Sequence, residues 1–205
     1  MGKHFKLTSE TKVTISGVTL YRIELVIDCK CGKSGDKGGF IQKEENLSGN
    51  AWVSGNARVY GNAEVSGDAR VYGDARVFGD ARVYGDARVF GDARVFGDAW
   101  VSGDAEVYGD AWVSGNARVY GDAWVSGDAR VFGNAISTKK VFTLNFVYQL
   151  TMTDLHIKYG CVQKTFKEWE EWLYSDDVIQ TKRSDEKFKL IRLSLELALQ
   201  QSKSI

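Results

Sequence analysis

Hydrophobic and polar positions repeat with a strict six-residue period through the middle of the chain. Between residues 49 and 134 the unit reads Gly-(Asn/Asp)-Ala-x-Val-(Tyr/Phe/Ser), as in GDARVF at residues 73–78. In an extended chain, Ala and Val point to one side, while x and the residue after Val point to the other. Position x is arginine in eight units, and arginine is not buried in such numbers. The pattern therefore predicts strands with Ala and Val facing inward.

The Gly-Asn/Asp pair predicts a corner between successive strands. Glycine accepts positive φ, and Asn or Asp tolerates tight turns by bonding to its own backbone. An interior of only alanine and valine is too thin for a sandwich, but it suits a narrow three-sided prism with three hexapeptides per coil. Fourteen complete units and a partial one from Gly133 predict about five coils at residues 49–135, in a column on the order of 25 Å tall.

The sequences on both sides of the repeats predict smaller modules that cover the ends of the column. Such covers are expected because an open coil end exposes unpaired strand edges. Residues 5–28 alternate polar and apolar on both sides of Ser16 and Gly17, which predicts a β-hairpin. Residues 29–48 are rich in Gly and Lys and predict an irregular, polar lid over the first coil. Residues 1–48 are thus expected to form an N-terminal cap module.

Residues 136–205 predict an α+β module. Strands are expected at residues 141–148 and 150–157, and Thr165 with Glu168 forms a capping box that opens a short helix. A longer helix is expected from Ser184. Its apolar residues are Phe188, Ile191, Leu195 and Ala198, widened by Leu190, Leu193 and Leu197. So broad a stripe predicts packing on the module or on another subunit.

Charge and cysteine content narrow the functional classes. The chain has no net charge, but residues 49–134 carry eight Arg, ten Asp and two Glu, a net charge of −4. An acidic column disfavours duplex nucleic acid as a partner. The three cysteines are an odd number, which disfavours an extracellular disulfide framework, and no apolar run is long enough to cross a membrane. These features predict a cytoplasmic protein without a membrane segment, and they leave the role of Cys29, Cys31 and Cys161 open.

The repeat resembles the hexapeptide-repeat left-handed parallel β-helix, and the flanks are similar to bacteriophage and prophage hexapeptide-repeat proteins of unassigned function. The N-terminal likeness lies in LYRI at 20–23, GDKGGFI at 35–41 and EENLS at 44–48, leading into GNAWV at 49–53. The C-terminal likeness lies in TDLHIKYGC at 153–161 and FKEW at 166–169. The chain departs from that group at Lys164, where a second histidine is expected, and at residues 28–31. The resemblance implies a mainly β fold with a left-handed β-helix.

Sorting the outward residues by coils of eighteen residues gives three faces. The first face carries Arg58/Tyr60, Arg76/Phe78, Arg94/Phe96, Trp112/Ser114 and Arg130/Phe132. The second face carries Trp52, Arg70/Tyr72, Arg88/Phe90, Glu106/Tyr108 and Trp124, and the third carries Glu64, Arg82/Tyr84, Trp100 and Arg118/Tyr120. Every repeat arginine precedes an aromatic residue by two positions, and every repeat tryptophan precedes a serine. One interpretation is packing between adjacent coils, with guanidinium planes on rings.

The other interpretation is a binding surface. The first face is the most apolar and the least acidic, and aromatic residues with arginine are typical of interfaces. The candidate partner-binding residues are Arg76, Phe78, Arg94, Phe96 and Trp112. The alternative site is the C-terminal module, where His156, Lys158, Lys164 and Trp169 are expected to line a basic groove. The surplus of outward rings and the stripe at residues 188–198 also predict a homo-oligomer, most simply a dimer.

Catalysis is not expected. Hexapeptide acyltransferases resemble this body and would be the least unlikely enzyme class, but they use a histidine in the coils, and these repeats have none. A zinc enzyme on this fold would need about three histidines, whereas the chain has two, His4 and His156, in different modules. Cys29, Cys31, Cys161 and His156 could form a metal site only if the two ends meet. A smooth prism is expected to have no pocket, so no catalytic residue, metal or cofactor is predicted.

The resemblance, rather than the fold, implies a function. Small non-enzymatic phage proteins often act by occupying a host protein, which predicts a binder that blocks a host defence component, for example a CRISPR effector. One alternative is a sponge for nucleotide signals, in which Arg/aromatic pairs hold phosphate and base. Others are a structural virion or scaffold protein and a hexapeptide acyltransferase.

Overall fold

The computed structural model of the chain describes residues 3–138, 141–145, 149–154, 156–160, 162–175 and 186–202. At the N-terminus, β1 (Phe5–Val13) and β2 (Thr19–Leu25) form the expected antiparallel hairpin. A third strand, β3 (Lys37–Ile41), pairs antiparallel with β2 on its other side. A short 3-10 helix follows at Glu44–Asn46.

The expected irregular, polar lid at residues 29–48 is wrong for residues 37–46, whereas residues 29–36 are irregular as predicted. Strand β3 lies within it and pairs in parallel with the first coil, so that Phe40 is opposite Arg58, and Phe40 is fully buried. Glycine is needed here for close approach, since a Cβ on Gly38 would lie 2.7 Å from the Val53 carbonyl oxygen. Buried Asn46 donates from Nδ2 to the carbonyl oxygen of Ala63 at 2.8 Å. The cap is therefore a sheet extension with an apolar underside.

Fifteen two-residue strands follow in the described part of the chain, each beginning at position x of a repeat. They are β4 (Trp52–Val53), β5 (Arg58–Val59), β6 (Glu64–Val65), β7 (Arg70–Val71), β8 (Arg76–Val77), β9 (Arg82–Val83), β10 (Arg88–Val89), β11 (Arg94–Val95), β12 (Trp100–Val101), β13 (Glu106–Val107), β14 (Trp112–Val113), β15 (Arg118–Val119), β16 (Trp124–Val125), β17 (Arg130–Val131) and β18 (Ile136–Ser137).

These strands form three parallel sheets. The first face is β5-β8-β11-β14-β17, continued by β3; the second is β4-β7-β10-β13-β16; and the third is β6-β9-β12-β15-β18. Each strand pairs with the strand three further along the chain, as Arg76 pairs with Arg94. This gives five coils of three strands and confirms the predicted parallel β-solenoid. The left-handed sense stays a prediction.

The interior of the solenoid consists of the alanine and valine columns. Every repeat alanine and valine is at most 3% exposed, and Val77 and Val95 are fully buried, which confirms the predicted inward side. Full burial of a valine side chain stabilises the fold by about 1.5–3 kcal/mol. The fifteen corner glycines from Gly49 to Gly133 have φ between 59° and 75°, a region that other residues rarely enter.

The C-terminal module is an antiparallel sheet with two helices. The sheet consists of β19 (Phe142–Asn145), β20 (Gln149–Met152), β21 (His156–Tyr159) and β22 (Val162–Thr165), followed by α1 (Phe166–Tyr174) and α2 (Glu186–Ser202). The expected single strand at 150–157 is wrong, because the Thr153 amide donates to the His156 carbonyl at 2.9 Å and turns the chain between two strands. Of the expected strand at 141–148, residues 146–148 lie outside the described residues, as does the predicted helix start at Ser184.

The helices begin and pack as follows. The capping box is present: Thr165 Oγ1 accepts from the Glu168 amide at 3.2 Å, and Glu168 Oε2 accepts from the Thr165 amide at 2.7 Å.

The inner side of α2 is buried on the sheet and α1. It comprises Phe188, Ile191, Leu195, Ala198 and Leu199. The widening residues do not share that burial: Leu190, Leu193 and Leu197 are 52%, 59% and 46% exposed.

The module contacts the last coil directly. The Thr138 amide donates to Asp154 Oδ2 at 2.7 Å, and the Val141 amide donates to the Trp124 carbonyl at 2.8 Å. Within the described ranges, no helix is both long and apolar enough to cross a bilayer.

Candidate binding surfaces of the solenoid

The first face brings the five predicted partner-binding residues together. Strands β8, β11 and β14 place Arg76, Arg94 and Trp112 side by side in register. The rings beside them are stacked: the Phe78 and Phe96 centroids are 5.0 Å apart with planes at 3°. Tyr60 continues the stack below Phe78 at 5.1 Å. A rigid, half-buried ladder of rings thus runs along this face.

Trp112 interrupts that ladder in a specific way. Its ring meets Phe96 edge-on, at 6.0 Å and 75°. The guanidinium groups of Arg94 and Arg130 lie 4.9 and 4.8 Å from its centroid. Cation–π contacts of this kind stabilise by about 0.5–1 kcal/mol at exposed sites. The packing interpretation is therefore correct for these residues, and it also holds the arginines in fixed positions.

On the first face, positively charged arginine side chains lie among uncharged aromatic rings. No described carboxylate forms a salt bridge with Arg76 or Arg94. Burial raises the pKa of Tyr60, although Arg76, Arg58 and Arg94 act to lower it. The Tyr60 hydroxyl therefore stays neutral, and the guanidinium N–H groups are the charged donors that the face offers.

The alternative site in the C-terminal module is not brought together. Trp169 is fully buried, and its Nε1–H donates to the Ile157 carbonyl at 2.7 Å, so it cannot line a groove. Lys164 is paired with buried Ile157 across β21 and β22, which places it on the helix side of the sheet. His156 and Lys158 alternate with Ile157 and so point to the other side, toward the solenoid.

His156 and Lys158 lie at the junction with the last coil. Lys158 Nζ is 3.4 Å from the centroid of the Phe132 ring. His156 borders a cavity of only about 10 Å³ there, and its buried Nδ1 has no hydrogen-bond partner in the described part of the chain. Both residues therefore lie between the module and the solenoid, where Lys158 contacts Phe132.

The third face contains a groove, so the expectation of a pocket-free prism is wrong. A cavity of about 700 Å³ is lined by Asp80, Arg82, Asp98, Trp100, Asn116, Arg118, Asn134 and Ile136. A second cavity of about 280 Å³ is lined by Tyr84, Trp100, Ser102, Arg118, Tyr120 and Ile136. The signal in the sequence is the alternation of Ser and Tyr after valine on this face, from Ser66 to Tyr120, which interrupts the ring ladder.

Comparison with known families agrees with this geometry. A protein-family model described as the YdcK Beta solenoid repeat matches residues 51–67, 57–73, 69–85, 75–89, 81–95, 87–103 and 111–127. The body of the chain is a repeat β-solenoid. All the matched stretches lie between residues 51 and 127, outside both terminal modules. No curated protein matches the chain.

The cysteines lie outside the β-solenoid. Cys29 and Cys31 are joined as a disulfide, so the two sulfurs do not offer thiolates to a metal in this form. Cys161, the third member of the metal set considered from the sequence, lies outside the described residues.

Proposed function

We propose that this protein is a non-enzymatic binding protein whose β-solenoid docks its first face onto a partner protein. The observation that carries the proposal is the ladder of Tyr60, Phe78 and Phe96. It is flanked by Arg76 and Arg94, which form no salt bridge with a carboxylate of the described residues. Aromatic residues and arginine dominate the energetic centres of protein interfaces. This surface therefore fits a partner that presents carboxylates among apolar side chains.

The stacking of rings on the first face favours binding, because it lowers the entropic cost of docking. Immobilising a flexible side chain at an interface costs about 0.5–1.5 kcal/mol. Phe78 is already held between Tyr60 and Phe96 at 5.1 and 5.0 Å, and Arg94 is held by Trp112. These side chains lose little freedom on docking, and each guanidinium can still bind a carboxylate in a bidentate manner.

The groups of this face suit recognition better than catalysis. The candidate residues are arginines, phenylalanines and a tryptophan, and the neighbouring Tyr60 has a raised pKa. Phenylalanine and tryptophan carry no titratable group, and burial moves the pKa of Tyr60 further from neutral, away from what general acid–base catalysis requires. We therefore propose binding without a cofactor or a metal.

The resemblance to phage and prophage proteins supports a finer proposal. The partner would be a host defence complex, such as a CRISPR effector, blocked by occupation in the host cytoplasm. A dimer would present two first faces to such a complex, and the exposed leucines of α2 suit a subunit contact. This finer proposal rests on the resemblance and on no contact within the solenoid.

The test combines partner capture with matched charge reversals. Tagged protein would be purified from a host cell that carries the defence system, and a single complex is expected to co-purify in stoichiometric amounts. Arg76→Glu with Arg94→Glu should weaken that association at least tenfold. Arg70→Glu with Arg88→Glu is the control, because these two arginines are also neighbours on adjacent coils but lie on the second face.

The outcomes separate the two levels of the proposal. Equal loss by both double variants, or by neither, would contradict docking through the first face. A captured protein unrelated to defence, with phage plating unchanged by the protein, would retain the binding function and reject the defence role. Recovery of the protein in purified virions without any host partner would favour the structural alternative.

A further inference from the structure

The third-face groove has the properties of a small-molecule site. Its volume of about 700 Å³ lies within the range of roughly 300–1,000 Å³ that is typical of ligand pockets. The adjoining cavity of about 280 Å³ exceeds the roughly 150 Å³ in which a benzene ring is known to bind. Both cavities are bordered by Trp100 and Arg118, so they adjoin each other and together make up the groove.

The smaller cavity lies where the third face has a serine in place of an aromatic ring. On the second face, Phe90 lies between Tyr72 and Tyr108 with centroid distances of 4.8 and 4.9 Å. The equivalent residue between Tyr84 and Tyr120 on the third face is Ser102, which is 9% exposed. Two strand spacings separate these tyrosines, roughly 9.6 Å. A planar group could therefore stack there as Phe90 does on the second face.

Trp100 lines the same cavity beside Ser102. Its ring meets Tyr84 edge-on, at 6.3 Å and 75°. Tyr84 and Tyr120 are 37% and 41% exposed, whereas the stacked Tyr60, Phe78 and Phe90 are less exposed. Both tyrosines are thus partly exposed to solvent, one on each side of Ser102.

Two guanidinium groups flank the same position. Arg82 and Arg118 lie 5.5 and 4.9 Å from the Trp100 centroid, and neither forms a salt bridge with a described carboxylate. A guanidinium that stacks on a ring keeps its N–H groups available in the plane, where they match the oxygens of a phosphate.

The two ends of the groove differ in charge. The corner residues on this side are Asp80, Asp98, Asn116 and Asn134 in successive coils. The carboxylates at Asp80 and Asp98 repel an anion, whereas the amides at Asn116 and Asn134 do not. An anionic group is therefore favoured at the Arg118 end of the groove.

We propose that this groove binds a free purine nucleotide. The base stacks between Tyr84 and Tyr120 above Ser102, and the phosphate accepts hydrogen bonds from Arg118. A stacking position for a planar ring and a guanidinium border the same cavity, and this combination favours a nucleotide over a simple aromatic molecule or an inorganic anion. This site is on a different face from the proposed protein-docking surface, so either can fail without the other.

The direct test is calorimetric titration of the full-length protein. AMP and GMP are expected to saturate, while adenosine and inorganic phosphate bind at least tenfold more weakly. A 5′-phosphorylated oligonucleotide is the comparison for a strand end, and tighter binding of the oligonucleotide than of AMP would overturn the assignment to a free nucleotide. Absence of saturation by both AMP and GMP at millimolar concentration would overturn the site.

A matched pair of repeat conversions locates the site. Trp100→Arg with Ser102→Phe turns this unit into the Arg-Val-Phe of its neighbours, fills the vacant ring position and adds a positive charge. Binding of AMP should fall at least tenfold despite the added charge. Trp124→Arg with Ser126→Phe makes the same change on the second face and should leave binding within twofold. Similar affinities for both variants would refute the location.

A third variant tests the phosphate contact. Arg118→Gln should reduce the preference for AMP over adenosine at least fivefold while adenosine affinity changes little. An unchanged ratio would refute the role of Arg118. Far-UV circular dichroism melting of each variant identifies any that has failed to fold, and Arg82→Gln then provides the same comparison at the other guanidinium.

Discussion

The contact between corner glycines of successive coils provides the sharpest stability test. Gly91 has φ of 69°, and a Cβ there would lie 3.0 Å from the Gly109 nitrogen and 3.3 Å from its oxygen. Gly127 has φ of 59°, but a Cβ there meets no atom within 4 Å. Substitution by alanine therefore isolates two costs: both sites suffer the backbone strain, and only Gly91 adds a collision.

The expected magnitudes follow from that geometry. Placing alanine in the left-handed region costs about 1–2 kcal/mol, which is the whole expected effect of Gly127→Ala. At Gly91 the opposing atoms are backbone and cannot rotate away, so the coils must separate. Interstrand bonds such as that from the Phe90 amide to the Val107 carbonyl, 2.9 Å long, would lengthen. Losing one or two of them costs about 0.5–1.5 kcal/mol each.

The measurement is urea unfolding followed by circular dichroism, with Gly91→Ala expected to lose about 1.5–5 kcal/mol. Gly121→Ala is a second control, because its Cβ would meet only the Thr138 carbonyl oxygen, at 3.7 Å. Equal destabilisation by Gly91→Ala and both controls would refute the claim that coil spacing is set by glycine contact.

Three further predictions concern the cores and the caps. Val95→Ala removes two fully buried methyl groups and should cost about 2–3 kcal/mol in the same urea assay, from roughly 0.8 kcal/mol per buried carbon plus the cavity. Burial lowers the pKa of His4 below its usual 6.5, so its contribution to stability is present above pH 6.5 and is lost as the pH falls through the folded-state pKa. Melting temperature should thus fall more between pH 7.5 and 5 in the native protein than in His4→Gln, and parallel profiles would contradict this. Thr165→Ala removes the side-chain cap of α1 and should lower stability by about 1 kcal/mol, seen as faster hydrogen exchange at the start of that helix, with Ser175→Ala as a comparison at its other end.

The solenoid could be predicted because the residues of each repeat determine the local structure of that repeat. Alanine and valine alternate with residues that cannot be buried, and glycine marks each corner, so inward side, strand length and face follow from local spacing. The positions of Arg76, Phe78 and Trp112 on one face followed from counting eighteen residues. Tertiary contact merely continued what the local pattern had specified.

Features that depend on distant contacts were not accessible in this way. The glycines at 38 and 39 suggested an irregular segment, yet they permit β3 to approach Trp52 and Val53 closely. Trp169 suggested a groove, but its place is decided by the Ile157 carbonyl in a strand of the sheet. The third-face groove depends on how the Trp100 ring tilts between two arginines. The spacing of residues along the sequence does not determine that tilt.

The pairing of each strand with the one three repeats later also constrains how the gene can change length. Strand β3 joins the first face at one end, and Lys158 meets Phe132 of that face at the other. Gain or loss of a whole coil preserves this alignment and moves the two modules apart or together by one strand spacing, about 4.8 Å. Gain of a single hexapeptide would instead rotate the C-terminal module by a third of a revolution and pair it with a different column of side chains. Length variants of this protein should therefore differ by whole coils, although the repeated coding sequence can recombine at every unit.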